Sequence, residues 1–300
     1  MSFKSGFISI VGRPNVGKST LLNNILGEKM VIISSKPQTT RNVIRCVHTT
    51  EKYQMIFLDT PGIHKPKNRL GNIMVDGAAS AMKDVDVILF LMDDMKSPGP
   101  GDRFILDALK DVNIPRILVI NKIDTVKKED ILEKIDIMKE YEFFEEIVPI
   151  SASTGENVDR LVEIMERYLP EGPMYFPEDT ITEQPEKVIV AEMIREKALI
   201  SLDEEIPHGI AVEIMSMKER KKSDIMDIEA TIYTEKKSHK GIIIGKGGAM
   251  LKKIGTMARR DIENLLGIRV NLQLWVKVKK DWRDKDFDLK SFGYGQDKNR

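Results

Sequence analysis

The run Gly12-Arg13-Pro14-Asn15-Val16-Gly17-Lys18-Ser19 has two glycines with four residues between them, closed by a lysine and a hydroxyl. That spacing is the chemistry of a phosphate-binding loop. Glycines let the backbone curl until successive N–H groups point inward at phosphate oxygens, and the N-terminus of a following helix adds partial positive charge. In such a loop Lys18 brings a mobile cation to the β- and γ-phosphates and Ser19 offers its hydroxyl to Mg²⁺, with Val16 and Thr20 completing the contacts. A glycine turn that happens to precede a surface lysine has the same letters. The position between an apolar run and an amphipathic segment separates the two. The loop points to a nucleoside triphosphate and is silent about its base.

The base is addressed further along, at Asn121-Lys122-Ile123-Asp124. The carboxylate of Asp124 accepts only, and can take two parallel hydrogen bonds. Guanine presents N1–H and an exocyclic amino group side by side, whereas adenine presents an acceptor at that ring nitrogen and would leave the carboxylate unpaired. The stem of Lys122 can lie along the base, and Asn121 can tie the base loop to the phosphate loop. Ser151-Ala152-Ser153 can aim the Ala152 N–H at the guanine O6. Alone, Asn-Lys-x-Asp is ordinary surface chemistry; after a phosphate loop and before Ser-Ala-Ser it reads as guanine recognition.

A third cluster, Asp59-Thr60-Pro61-Gly62, has the makings of a switch. Asp59 can hold Mg²⁺ through a water, and the Gly62 N–H can contact a γ-phosphate. Thr39 and Thr40 lie in a loop where one hydroxyl would close over Mg²⁺ when the γ-phosphate is present, and Thr40 is the expected one. Loss of that phosphate would release both loops. Ile63 follows Gly62 where Ras-type enzymes have a water-orienting glutamine, and an isoleucine neither donates nor accepts. The expected hydrolytic set is therefore Lys18, Thr40, Gly62 and Asn15, with His64 a weaker candidate.

The C-terminal part carries different chemistry. Lys240-Gly241-Ile242-Ile243-Ile244-Gly245-Lys246-Gly247-Gly248 leads into a helical pattern at 249–266. A G-x-x-G loop between two helices lets backbone N–H groups approach a nucleic-acid backbone, which side chains would block. Ile243 and Ile244 are expected as an apolar floor for unpaired bases. Lys240, Gly245, Lys246, Gly247, Gly248, Lys252, Lys253 and Arg259 are the expected RNA contacts. G-x-x-G alone is a common tight turn. The charge decides: the formal net charge is +0, yet thirteen Lys or Arg face three Asp or Glu between Lys236 and Arg283. Phosphate contacts need such a local field rather than a global one.

These residues need elements to position them. Apolar runs at 6–11, 43–48, 53–58, 87–92, 116–120 and 147–150 alternate with helical patterns beginning near Gly17, Asp102, Lys127 and Val158. The pattern predicts an α/β, doubly wound, six-stranded, mostly parallel sheet. Only four residues separate the second and third runs, so that pair is an antiparallel hairpin. The nucleotide-binding domain is expected over 1–170, a linker over 171–186, an α+β RNA-binding domain over 187–285 and a tail over 286–300. In the second domain the order is helix–strand–strand–helix–helix–strand. Trp275 and Trp282 are expected to anchor the last strand and the tail. A hydrophobic content of 41% and a charged content of 31% suit a soluble globular chain, and a lone Cys46 excludes internal disulfides and cysteine-based metal sites. A cytoplasmic location is expected.

The combination resembles the Era family of bacterial GTPases, in which a phosphate-loop GTPase domain precedes a type II KH domain. The resemblance spans nearly the whole chain and includes Pro37-Gln38-Thr39-Thr40-Arg41 and Asp59-Thr60-Pro61-Gly62-Ile63. It implies GTP and GDP as ligands, Mg²⁺ as cofactor, and a KH domain that holds single-stranded small-subunit rRNA near its 3′ end during assembly of the small ribosomal subunit. It also implies a GTP-favoured RNA-competent arrangement and peripheral association of a fraction with the inner face of the membrane; a monomer is expected. In some related GTPases an asparagine at the place of Asn15 binds K⁺ in lieu of an arginine finger, which implies K⁺ here. Two other readings fit the same residues: a membrane-associated regulatory GTPase, and an RNA-binding protein in which GTP only sets domain orientation.

Overall fold

Strands β1 (Lys4–Gly12), β2 (Ile44–Thr49), β3 (Tyr53–Asp59), β4 (Val87–Met92), β5 (Arg116–Ile120) and β6 (Glu146–Pro149) form one sheet in the order β2-β3-β1-β4-β5-β6. This computed structural model describes residues 2–34, 36, 38–63, 66–93, 97–203, 206–221 and 223–295. Pro37 and His64 lie outside the described residues. Every pairing is parallel except β2 with β3, the expected hairpin. Helices α1 (Lys18–Leu26), α2 (Arg69–Ser80), α3 (Pro100–Lys110), α4 (Lys128–Met138) and α5 (Val158–Tyr168) alternate with the strands. Successive side chains of β4 enter opposite cores: Leu89 and Leu91 join Ile8, Ile10 and Leu161, whereas Ile88 and Phe90 join Ile105, Leu106 and Leu118. A sheet covered on both faces explains why its central strands read as unbroken apolar runs. The loops at the carboxyl ends of β1, β3, β5 and β6 carry the nucleotide motifs, where doubly wound sheets place ligands.

Two features of the nucleotide-binding unit depart from the sequence reading. Helix α2 has no counterpart in it. The stretch expected as a linker is also partly bound: residues up to Glu183 group with the nucleotide-binding unit. The Gln54 amide donates to the Phe176 carbonyl at 2.9 Å, the Val47 N–H to the Ile181 carbonyl at 2.8 Å, and the Thr182 hydroxyl to the Arg45 carbonyl at 2.7 Å.

The chain divides into two units, the second comprising Ile32–Thr39, Pro66–Ile73 and Gln184–Arg300. Its elements are α6 (Glu186–Ser201), β7 (Ala211–Glu219), β8 (Ile225–Thr234), α7 (Lys237–Ile244), α8 (Ala249–Leu266), β9 (Arg269–Val278) and α9 (Asp286–Ser291). In its three-stranded sheet β8 is central, antiparallel to β7 and parallel to β9. Val190 and Ile194 of α6 and Ile254, Ala258 and Ile262 of α8 share one core with the sheet residues Ile228, Ala230 and Ile232. Trp282 is fully buried and donates its indole N–H to the Gly209 carbonyl at 3.0 Å. Trp275, opposite Thr231 in the β8–β9 ladder, is 44% exposed. Part of the expected tail is helical, as α9.

Candidate nucleotide site and nucleic-acid groove

The phosphate loop is fixed from below. Val16 is fully buried among Ile8, Ile10 and Leu21, so the loop's midpoint is a core residue. Asn15 and Gly17 adopt left-handed backbone, with φ of 66° and 103°. A Cβ on Gly17 would lie 2.1 Å from the Asn121 amide nitrogen, so only glycine fits there. The buried Lys18 ammonium arches back over the loop and donates to the Gly12 and Arg13 carbonyls, both at 3.0 Å. Burial pushes its pKa down to about 8, against the pull of Asp59. Thr20 follows in the first turn of α1. Arg13 is held by the buried Asp102 and by Asp93, both at 2.8 Å.

Three oxygens converge beside that lysine. The Ser19 hydroxyl donates to Asp59 Oδ2 at 2.9 Å, and Thr40 Oγ1 lies 3.1 Å from Ser19 Oγ and 3.4 Å from Asp59 Oδ2. Thr39, the other candidate, instead turns its hydroxyl to the Lys36 carbonyl at 2.6 Å. Asp59 is fully buried, and its Oδ1 has no hydrogen-bond partner among the described residues. Burial pushes its carboxyl pKa up, opposed by Lys18, Ser19 and Thr40. An orphaned buried carboxylate oxygen among hydroxyls is a hard-oxygen donor set that fits Mg²⁺. Gly62 lies against the loop so closely that a Cβ there would be 2.7 Å from the Pro14 nitrogen. Ile63 points away, into the cluster with Val11, Phe90 and Met92. It is a core residue, which accounts for an aliphatic side chain at that place.

Asn121 ties the loops together. Its amide nitrogen donates to the Val16 carbonyl at 2.8 Å, and its oxygen accepts the Ala152 N–H at 2.9 Å. One side chain thus joins the loops that follow β1, β5 and β6. Lys122 adopts φ 67° and lies 3.9 Å from Asp93. Asp124 is exposed at the rim, with the Ser153 hydroxyl at 3.5 Å. Ser151 and Ser153 share a hydrogen bond of 3.0 Å.

In the second unit, Gly245 ends α7 and Gly248 begins α8. A Cβ on Gly245 would lie 2.8 Å from the Met250 nitrogen, whereas Gly247 and Gly248 face open space at φ 59° and 81°. Beside this loop runs a groove of about 370 Å³ between α8 and β9. Of the expected RNA contacts, Gly248, Lys252 and Arg259 line it. Its apolar lining is Leu251, Leu272 and Leu274, not the isoleucines. Ile243 is fully buried in the domain core and Ile244 packs against that core, because the inner face of α7 turns inward. Lys240 and Lys253 do not line the groove, and Lys246 is exposed on the loop. Gly255, Thr256 and Asn271, which the sequence did not single out, also line the groove. An isolated glycine inside a helix is a signal of close approach, and a Cβ on Gly255 would meet Leu274 at 3.3 Å.

Residues 7–122 match the family model of the 50S ribosome-binding GTPases and residues 205–283 that of the KH domain. The chain is 58% identical to GTPase Era of Alkaliphilus metalliredigens, covering 98% of this chain and 100% of that one. It is 59% identical to GTPase Era of Clostridioides difficile over 97% and 99% of the two chains. The chain belongs to the Era family of GTPases. A point variant of Aquifex aeolicus Era bound to GDP and AlF₄⁻ superposes with a TM-score of 0.95 at 45% identity, over 98% of this chain and 100% of that one. A structure of Era with MgGDPNP and nucleotides 1506–1542 of 16S ribosomal RNA gives the same score, identity and coverage. The Era architecture, a six-stranded GTPase domain followed by a KH domain, is the one described above.

Proposed function

We propose that this chain hydrolyses GTP as a switch and, through its KH domain, binds single-stranded small-subunit rRNA near the 3′ end, assisting assembly of the small subunit in the cytoplasm. The observation that carries the nucleotide half is the orphaned Asp59 oxygen beside Ser19, Thr40 and Lys18. The RNA half rests on the groove beside Gly245–Gly248 and on the relative solved with 16S rRNA.

The chain's own groups divide the work. The loop from Gly12 to Lys18 binds phosphates through backbone N–H groups, and Lys18 turns from its carbonyls to the β- and γ-oxygens. Ser19 and Thr40 would hold Mg²⁺, with Asp59 accepting from a water of its shell; the ion supplies neutralising charge at the phosphates. Asp124 reads guanine, and Lys122 lies along it. Thr40 and Gly62 sense the γ-phosphate, so its loss frees both loops. The buried Ile63 orients no water. Asn15, at the exposed tip of the loop, is proposed to hold K⁺ as the missing positive charge.

Gly247→Asp tests the RNA half. A Cβ at Gly247 meets nothing within 4 Å and aspartate tolerates left-handed backbone, so the loop keeps its shape while gaining a negative charge. RNA affinity should fall at least about tenfold with GDP affinity unchanged. Unchanged RNA affinity retires the RNA role of this loop, and liposome binding stronger than RNA binding at equal salt replaces it with a membrane role.

A further inference from the structure

The sheet order sets β4 between β1 and β5, so the residue that leaves β4 stands between the phosphate loop and the base loop. Gly12 lies opposite Leu91 and Ile120 opposite Met92 in the two ladders, and Asp93 comes next. Its carboxylate is shared. Oδ1 accepts from the Arg13 guanidinium at 2.8 Å, and Oδ2 lies 3.9 Å from the Lys122 ammonium. Its backbone carbonyl accepts from the buried ammonium of Lys134 in α4, which fixes the main chain at this point.

The two cations differ in how firmly they are placed. Arg13 has a second anchor in the fully buried Asp102, which accepts from its Nε at 2.8 Å and also accepts the Gly99 N–H at 3.0 Å. A Cβ on Gly101 would lie 2.8 Å from Arg13 Cδ, so the arginine stem lies close against the first turn of α3. Lys122 has a side chain 38% exposed and a flexible four-carbon stem. A half-exposed ion pair adds little to fold stability. Its effect here is on placement, because lying along a purine requires one arrangement of that stem, and an arrangement already selected is not paid for on binding.

We propose that Asp93 is a positioning residue for guanine-nucleotide binding, joining Arg13 of the phosphate loop to Lys122 of the base loop so that the lysine stem is set along the base before the nucleotide arrives. This rests on the reading of Lys122 given above. Asn121 ties the same two loops through backbone groups; Asp93 ties them through charge.

The test uses the full chain, with Asp93→Asn, Lys122→Met and the double variant measured against the parent. Readouts are the Kd and dissociation rate of GDP, competition by inorganic pyrophosphate, kcat and KM for GTP, and thermal melting. The amide oxygen of Asp93→Asn still accepts from Arg13, but its NH₂ faces the Lys122 ammonium, donor against donor. The GDP Kd should rise about fivefold, chiefly through faster dissociation, with kcat and pyrophosphate competition within about twofold of the parent. In the Lys122→Met background the same substitution should add less than about twofold. If Asp93→Asn does not fold, Asp93→Glu decides the matter: the charge is kept but moved by one methylene, and a loss of about threefold is expected, again absent beside Lys122→Met. A folded Asp93 variant with the parent GDP affinity overturns the inference. So does an equal loss for pyrophosphate, or a full loss that persists beside Lys122→Met. If Lys122→Met weakens GDP binding while the Asp93 variants do not, the inference fails and the reading of Lys122 stands; if Lys122→Met changes nothing, both fall.

Discussion

Replacing Asp124 with asparagine separates base reading from every other property of the nucleotide site. The carboxylate is exposed and accepts a long hydrogen bond from the Ser153 hydroxyl at 3.5 Å, so the substitution removes little from the folded chain. Stability should change by no more than about 0.5 kcal/mol. Binding is another matter. Two N–H groups of guanine meet one ionised acceptor, and hydrogen bonds to charged groups contribute about 1.5–3 kcal/mol each. Because the group sits at a solvated rim, the lower figure applies, giving about 3 kcal/mol, or roughly two orders of magnitude in Kd. The asparagine amide also sets a donor against the guanine amino group. Xanthine carries a carbonyl there, so XDP should recover most of what GDP loses. Calorimetry with GDP, XDP and ADP on both proteins checks this. The reasoning is refuted if the variant binds GDP as tightly as the parent, or if XDP gains nothing while GDP is lost.

Gly17→Ala should abolish nucleotide binding, since its Cβ would stand 2.1 Å from the Asn121 amide at a left-handed φ of 103°; retained GDP affinity in a fluorescence titration would contradict the loop geometry. Exchanging K⁺ for Na⁺ should slow turnover if Asn15 holds a monovalent ion, and equal rates in the two buffers would remove it. Burial pushes the Cys46 thiol up to about 12 from its ordinary 9.0, so iodoacetamide at pH 8 should label unfolded but not folded protein. The raised value means that this group's contribution to stability is complete below pH 9.0 and is lost as pH rises towards about 12.

The nucleotide loops were legible because their chemistry is local. The spacing from Gly12 to Ser19, the Asn121–Asp124 run and the Ser-Ala-Ser triplet each specify backbone and side-chain donors within a few residues. The six strands and the antiparallel hairpin followed from the alternation of apolar runs and the short second connection, whereas the order of the strands across the sheet did not. Helix α2 was hidden by Gly71, Asn72 and Gly77, poor helix formers whose cost is offset by burial of Leu70, Met74 and Ala78 at four-residue intervals. Ile243 is ambiguous in sequence for a related reason: an isoleucine beside a glycine loop can serve ligand or core, and only the packed face of α7 decides. Arg195, Glu196 and Lys197 look like a solvated stripe, and nothing in their order tells that all three are covered.

The stretch between Gly172 and Glu183 also covers the outer strand of the sheet. β2 is the outermost strand of a six-stranded sheet, and a free border of that kind invites a second polypeptide to add itself on. Ile181 and Thr182 already occupy donors and acceptors of Arg45 and Val47, so intermolecular strand addition finds them taken. Proteolytic nicking near Phe176 would leave the GTPase core folded while uncovering this border, and aggregation from that side would follow.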